Sequence, residues 1–505
     1  MKTSLLKPIL TIAALLLFNL LFWGEKMGIN LFLFSLSLLA LSCVSNPIKL
    51  KNKESLFAAG SYLITGAMIV LNNTGISVFT HVLSFMFLIV YLKQGGLKTI
   101  YDGLIGFLKS YVSLPIKWWN GLAKNSEKHP ALARIFKFLK LAGIPLLVFI
   151  IFFQIYRGAN PKFETLTQDF TGFLTDLFEG LSFSRIIFLL FGFSFISLAI
   201  SSIYKKIEPC FAENNELIRK KKTYNRLAQR FQRESLLKNL LNEYRVGILI
   251  LAALNVLLLI VNIIDLTWVY IGFEVPEDFN LKQFVHEGTY LLILSILLSI
   301  GIVLYFFRGS LNFYPKNKAL FILGKVWIVQ NAFLTISVFM RNFHYINYHG
   351  LASKRIGMIA FLIMTFFGLL TLVYKVNNKK SSYFLLRVNT WFIFLSLVCL
   401  SFFNWDRIIV SNNLAHHNPA EIDIDHYLEL DPRISPLILS NLDAIEMQMK
   451  AHQLNRKVWV NSLDIDLFKV RLSKKTKLYL KRQKSHSWAS WNMQDKRLRD
   501  SFGLN

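Results

Sequence analysis

"VGILILAALNVLLLIVNIIDLTWVY" at 246–270, the acidic loop "GFEVPEDFNLKQ" at 272–283 and the knot Phe284-Val285-His286-Glu287-Gly288 decide the fold. The first stretch is apolar almost throughout, and about 20 such residues cross the hydrocarbon core as a helix. Lipid offers no hydrogen-bond partners, so a helix, which closes its own backbone bonds, is the form such a run takes. Two more apolar runs follow, the second ending in "SVFMRNFHYINYHG" at 337–350. The stretch therefore reads as part of a membrane protein whose richest polar chemistry gathers at one membrane boundary.

Working outward, similar runs lie at 8–23, 27–44, 56–72, 75–92, 138–156, 184–204, 288–307, 319–340, 356–374 and 384–403. The expectation is an all-α, polytopic helical membrane protein of about eleven spans with a small helical C-terminal soluble region. The composition agrees: 54% of the 505 residues are hydrophobic and 17% charged, against about 25% charged in a soluble chain. Asn72-Asn73-Thr74-Gly75 is a turn-forming cluster that makes the third and fourth spans a tight hairpin. The N-terminal run is followed at once by a second, with no small-x-small cleavage site between them, and reads as an uncleaved first span. Cys43 and Cys399 sit in apolar runs and Cys210 in a charged loop, so neither a disulfide framework nor a zinc knuckle is indicated.

The net charge of +27 does not point to nucleic acid. The basic residues collect in alternate loops and in the tail, the pattern of cytoplasmic loops in a membrane protein. This sets the N-terminus in the cytoplasm and the C-terminal region on the far side. The chain divides into N-terminal hairpins (1–92), an amphipathic cytoplasmic segment (93–137), two spans (138–204), a charged helical cytoplasmic segment (205–245), a bundle (246–403) and a soluble helical tail (404–505). Within the tail, helices are expected at 406–417, 424–430, 435–454 and 458–484, with the prolines of "DPRISP" breaking two of them. The basic stretch 469–484, with Trp488 and Trp491 behind it, suits either anionic lipid or solvent.

Four patches carry a resemblance. They are Phe284-Val285-His286-Glu287-Gly288-Thr289-Tyr290 with Leu292; Ser337, Arg341 and Tyr345; Gly350-Leu351-Ala352 with Arg355; and Asn413-Leu414-Ala415-His416-His417-Asn418. Together with "DIDHYLELDP" at 423–432, they make residues 240–505 resemble the bacterial membrane family called domain of unknown function 4173, a relative of the 4153 group. Ala352, His416 and His417 depart from that family's Thr, Arg and Tyr. The resemblance implies a fold and a bacterial inner-membrane location, and no activity.

On this topology His286, Glu287, Arg341, Tyr345, Arg355, His416, His417, Asp423 and Asp425 share one outer rim. With His344 and His349 they include ligand types for a divalent metal, but their spacings match no ligand motif, so no metal or other cofactor is expected. The plainer reading pairs Glu287 with Arg341 or Arg355 and uses Asp423 or Asp425 as a helix cap. Inside the membrane Lys325 is the anomalous charge; it either snorkels to the inner surface or faces a polar path with Asn255, Asn262, Gln330 and Asn331. No Ser-His-Asp, HExxH or phosphate-loop signature supports an enzyme, and Asp423-x-Asp425 reads as capping. By exclusion the expected role is a non-enzymatic scaffold, or a component of an envelope or signalling assembly. Its partners would be the lipid bilayer, possible anionic lipid and another membrane or envelope protein. The alternatives are a small-solute or ion transporter using Lys325, and an enzyme on lipid or envelope substrates. A reporter fused after Asn505 is expected to read as extracytoplasmic; a cytoplasmic signal would reverse the span count.

Overall fold

The computed structural model describes residues 2–45, 53–93, 98–112, 167, 183–200, 229–267, 289–307, 311, 314, 316–415, 424–454 and 465–504. The expected span at 138–156, and most of the segments 93–137 and 205–245, lie outside them. The described residues are mostly helical, with no strands among them. The long helices are α1 (Lys2–Phe22), α2 (Ile29–Ser45), α3 (Lys53–Leu71), α4 (Gly75–Lys93), α5 (Phe183–Ile200), α6 (Gln229–Asp265), α7 (Thr289–Phe306), α8 (Lys318–His349), α9 (Ser353–Asn377) and α10 (Ser382–Ser401). Stretches of α3, α4, α6, α8, α9 and α10 are long and apolar enough to cross a bilayer, and shorter apolar stretches lie in α1, α2, α5 and α7. The chain is an all-α, polytopic helical membrane protein.

Two compact units form. The first comprises Met1–Ala59, Phe85–Gly96 and Gly103–Ile207. Here α1, α2 and α5 pack together on aromatic rings: Phe18 lies 4.5 Å from Phe188 and 5.4 Å from Phe34, centroid to centroid. Gly192 permits this approach, because a Cβ there would come within 2.4 Å of the Phe18 ring. Asn30, wholly buried, closes the α1–α2 turn by donating to the Leu21 and Lys26 carbonyls, 2.8 Å each.

The second unit comprises Gly60–Ser84, Leu97–Asp102 and Glu208–Asn505. The turn between α3 and α4 holds Asn73 at φ +45, a left-handed conformation Asn tolerates well. Helix α6 begins at Gln229, so 229–245 of the expected charged segment continues into the apolar run as one helix. Its Leu249, Val256, Leu257, Ile260 and Ile264 are exposed, as a lipid-facing side requires. Its other side packs with α7, α8 and α9 through Leu251, Leu258, Val303, Phe306, Phe307, Leu320 and Leu334. Lys375, only 2% exposed, directs its ammonium to the Phe307 carbonyl at the end of α7, 3.4 Å away.

The tail folds into α11 (Trp405–Leu414), α12 (Asp425–Glu429), α13 (Ser435–Leu439), α14 (Leu442–Leu454), α15 (Ile465–Gln483) and α16 (Met493–Ser501). Two expectations change. The helix expected over 435–454 breaks after Leu439, where the Asn441 side chain donates to the Leu437 carbonyl instead of continuing the ladder. The sequence reading also missed α16, which starts at Asn492 with its side chain accepting from Asp495 N.

Gly324 lets the Phe307 ring seat against α8, since a Cβ there would come within 2.7 Å of it. Gly324→Ala is expected to lower stability by about 1–3 kcal/mol, read as detergent thermal unfolding. Adding Phe307→Leu is expected to recover part of that loss.

Candidate functional site

Three polar side chains on α6 and three on α8 join the two helices. Asn255 donates to the Leu323 carbonyl (3.1 Å) and accepts from Gln330 Nε2 (2.9 Å). Asn262 donates to the Gln330 carbonyl at 3.2 Å. One turn on, Asp265 accepts from the Ser337 hydroxyl and pairs with the Arg341 guanidinium. Asp265 is 1% exposed, Ser337 0% and Arg341 7%, so the pair is sealed from solvent. The partners are 68 to 76 residues apart and advance together along both helices, so α6 and α8 run parallel.

Beyond Arg341 the polar face of α8 continues by fours. Tyr345 lies beneath the Arg355 guanidinium, 3.6 Å from Cζ to the ring centroid, and 4.7 Å from the His349 ring. A cation over a tyrosine face in a buried setting contributes about 1–2 kcal/mol. Asn342 donates to the Arg355 carbonyl at 3.4 Å. Gly350, at φ +82, ends the helix and exposes Leu351 to the tail. Asn413 on α11 then clamps Leu351, accepting from its N–H at 2.7 Å and donating to its carbonyl at 2.9 Å. Gln448 of α14 donates to the Asn413 carbonyl at 2.9 Å, and the Tyr427 hydroxyl donates to Gln448 at 3.5 Å. An apolar cluster of Ile409, Val410, Tyr427, Ile438, Ile445 and Phe468 surrounds this chain of bonds.

A second tie holds the tail to the α3–α4 turn. Arg433 makes two short bonds to Asp431 (2.7 and 2.8 Å) and donates to the Asn73 carbonyl at 2.9 Å. Gln494 donates to the Leu71 carbonyl at 2.8 Å, and Asn72 to the Phe402 carbonyl at 2.7 Å. Burial opposes charge on Asp431, but the bond and charge of Arg433 overcome it and hold the carboxyl below its usual range. Burial likewise opposes charge on Arg433 and lowers its pKa, but the bond and charge of Asp431 outweigh this and hold it above its usual range. Burial lowers the Lys475 ammonium, which donates to the Leu428 and Leu430 carbonyls, while Asp431 and Asp406 partly restore it.

The residues singled out from the sequence are distributed as follows. Arg355 meets Tyr345, one turn beyond Arg341 on α8, while Arg341 pairs with Asp265, and the patches at 350–355 and 413 meet through Asn413. Asp425 is half-buried in the first turn of α12. His286, Glu287, His416, His417 and Asp423 lie outside the described residues. Asn255, Asn262 and Gln330 lie in the α6–α8 seam, and Asn331 donates to the Trp327 carbonyl within its own helix. Lys325 is exposed, whereas its neighbours Trp327 and Ile328 are buried. Among the described residues no group of three or more His, Cys, Asp or Glu side chains is placed to share a metal ion.

The sequence reading missed Asp265 as the partner of Arg341. The available signal was spacing: Asn255, Asn262 and Asp265 step by seven and three, and Gln330, Ser337 and Arg341 by seven and four. That common period marks two facing seams.

Residues 33–440 match the family described as Domain of unknown function (DUF4153). The match is to the 4153 group, not its 4173 relative, and it begins well inside the N-terminal half, which the sequence resemblance did not reach. No curated protein and no solved structure matches the chain.

Removing one member breaks a buried ion pair, at about 3–5 kcal/mol. Asp265→Ala and Arg341→Met are each expected to show a loss of this order in detergent unfolding. The double variant is expected to lose less than the two single losses combined. Strict additivity would mean the two side chains do not interact.

Proposed function

The chain belongs to the DUF4153 family, whose description names no activity, and from its own geometry we propose that it is a non-enzymatic membrane scaffold, a component of an envelope or signalling assembly. In this reading it sits in the inner membrane with its N-terminus cytoplasmic and its helical tail on the outer side, presenting a folded platform to a membrane or envelope partner. The patches at 337–345, 350–355 and 413–418 ally it with the 4173 branch. The exposed Arg471, Lys474, Lys477, Lys481 and Arg482 of α15 are the groups that would meet anionic lipid.

The observation that carries the reading is the α6–α8 seam. Asn255, Asn262, Gln330, Asp265, Ser337 and Arg341 bond helix to helix, which supports a fixed support more than a solute path. Lys325, which a transporter reading needs beside them, is on the exposed side of α8. The clamp of Asn413 on Leu351 adds to this, because it fixes the tail on the bundle instead of tethering it.

Complementation of a strain lacking the protein separates the two roles. Asn413→Ala unpairs Leu351's backbone, at about 1–3 kcal/mol. It is expected to make the tail more sensitive to limited proteolysis, leave the bundle intact and fail to complement. Lys325→Met is expected to complement fully. The opposite pattern would favour transport and remove the scaffold reading.

A further inference from the structure

Where the tail meets the α3–α4 turn, the structure holds a cleft of about 220 Å³ lined by Asn72, Thr74, Gly75, Ile76, Asn404, Trp405, Asp406, Asp431, Arg433 and Ile434. Its charge runs against that of the chain. Among the lining residues Asp406 and Asp431 stand with one guanidinium, Arg433, and the nearby Lys475 ammonium, which feels both carboxylates, is held by the Leu428 and Leu430 carbonyls, in a protein of net charge +27. Arg433 is already tied to Asp431 and to the Asn73 carbonyl, with Asp495 4.0 Å from its Nε, so little of its charge is left for an anion. Asp406 differs. Its Oδ2 accepts from the Asp431 N–H at 3.1 Å, and its Oδ1 has no protein partner among the described residues. The Asn72 side-chain nitrogen donates to Ser401 and Phe402 carbonyls, so its oxygen also remains to accept. Trp405 also lines the cleft, its indole N–H engaged by the Leu400 carbonyl at 2.9 Å.

A carboxylate, an amide oxygen and an aromatic wall are complementary to a small cation that also donates hydrogen bonds. The volume is below the range of about 300–1,000 Å³ that takes a drug-sized ligand, and suits a group of a few heavy atoms. The position indicates the source. The cleft lies at the ends of α3, α4 and α10, which are of spanning length, where headgroups border the hydrocarbon. Phe402 and Phe403, 43% and 48% exposed, directly precede the lining residue Asn404 in the chain, so exposed apolar residues adjoin the lining segment. We propose that this cleft binds the primary ammonium of a phospholipid headgroup, with Asp406 as its principal acceptor.

The test uses the full chain purified in detergent and exposed to equal amounts of phosphatidylethanolamine and phosphatidylcholine, with retained lipid counted by native mass spectrometry. Choline has no N–H to give Asp406. The wild-type chain is expected to retain the ethanolamine lipid about tenfold over the choline lipid, the size of one charge-assisted hydrogen bond. Asp406→Asn keeps an oxygen for the Asp431 N–H and removes the charge. It is expected to abolish the preference at an unchanged melting temperature, while Asp466→Asn on the exposed side of α15 keeps it. Equal retention by the wild-type chain, or a preference that survives Asp406→Asn, would overturn the site. Soluble glycerophosphoethanolamine that displaces the lipid completely at equal concentration would overturn the bilayer as the source.

Discussion

The pairing of Asp265 with Arg341 sets the terms for the bundle. Between helices in lipid there is no hydrophobic drive, because the tails are as apolar as leucine, so association rests on close packing and polar bonds. Each such bond contributes about 0.6 kcal/mol on average, too little for any one to hold α6 against α8. Its value lies in the asymmetry between making and breaking. A charge left unpaired at this depth costs several times what the bond contributes, so registers that separate Asp265 from Arg341 are penalised. The amides of Asn255, Asn262 and Gln330 repeat the constraint along the same seam. Phe307 and Gly324 show the packing half of the argument, where one missing Cβ lets a ring close the gap between α7 and α8.

Once its register is set, α8 links the membrane to the tail. The face that carries Ser337 and Arg341 continues to Tyr345, then to Arg355 across the turn, and Leu351 is caught by Asn413. The clamp on Leu351 uses backbone groups exposed by the ending of a helix, which need partners wherever they are buried. The α3–α4 turn is treated alike: the carbonyls of Leu71 and Asn73 are taken by Gln494 and Arg433. The tail is therefore held by the loose ends of membrane helices. The carbonyls are abundant, and the side chains able to reach them come from far along the sequence.

Much of the fold was legible in the residues. Apolar length located the long described helices, and Asn72-Asn73-Thr74-Gly75 gave a hairpin whose Asn73 adopts the left-handed conformation such clusters allow. The site was legible in part. Ser337, Arg341 and Tyr345 were recognisable as a ladder, and the patches around 351 and 413 as related, but which group each would bond was not. Asp265 sat in plain view and was not assigned to Arg341, because partner choice depends on how two helices rotate and slide. Hydropathy is nearly blind to both quantities. Lys325 makes the same point: depth follows from counting residues, but the side of the helix it occupies follows only from which neighbours pack on the other side.

What the chain determined by itself was helical, membrane-spanning character and the inventory of polar groups the bilayer would penalise, because both follow from local composition and from the backbone's need for hydrogen bonds in lipid. Tertiary structure alone decided that Asp265 meets Arg341, that Arg355 covers Tyr345, and that Arg433 reaches back to Asn73. Those contacts join residues up to 360 positions apart, and their selection depends on the packing of whole helices, which no local window contains.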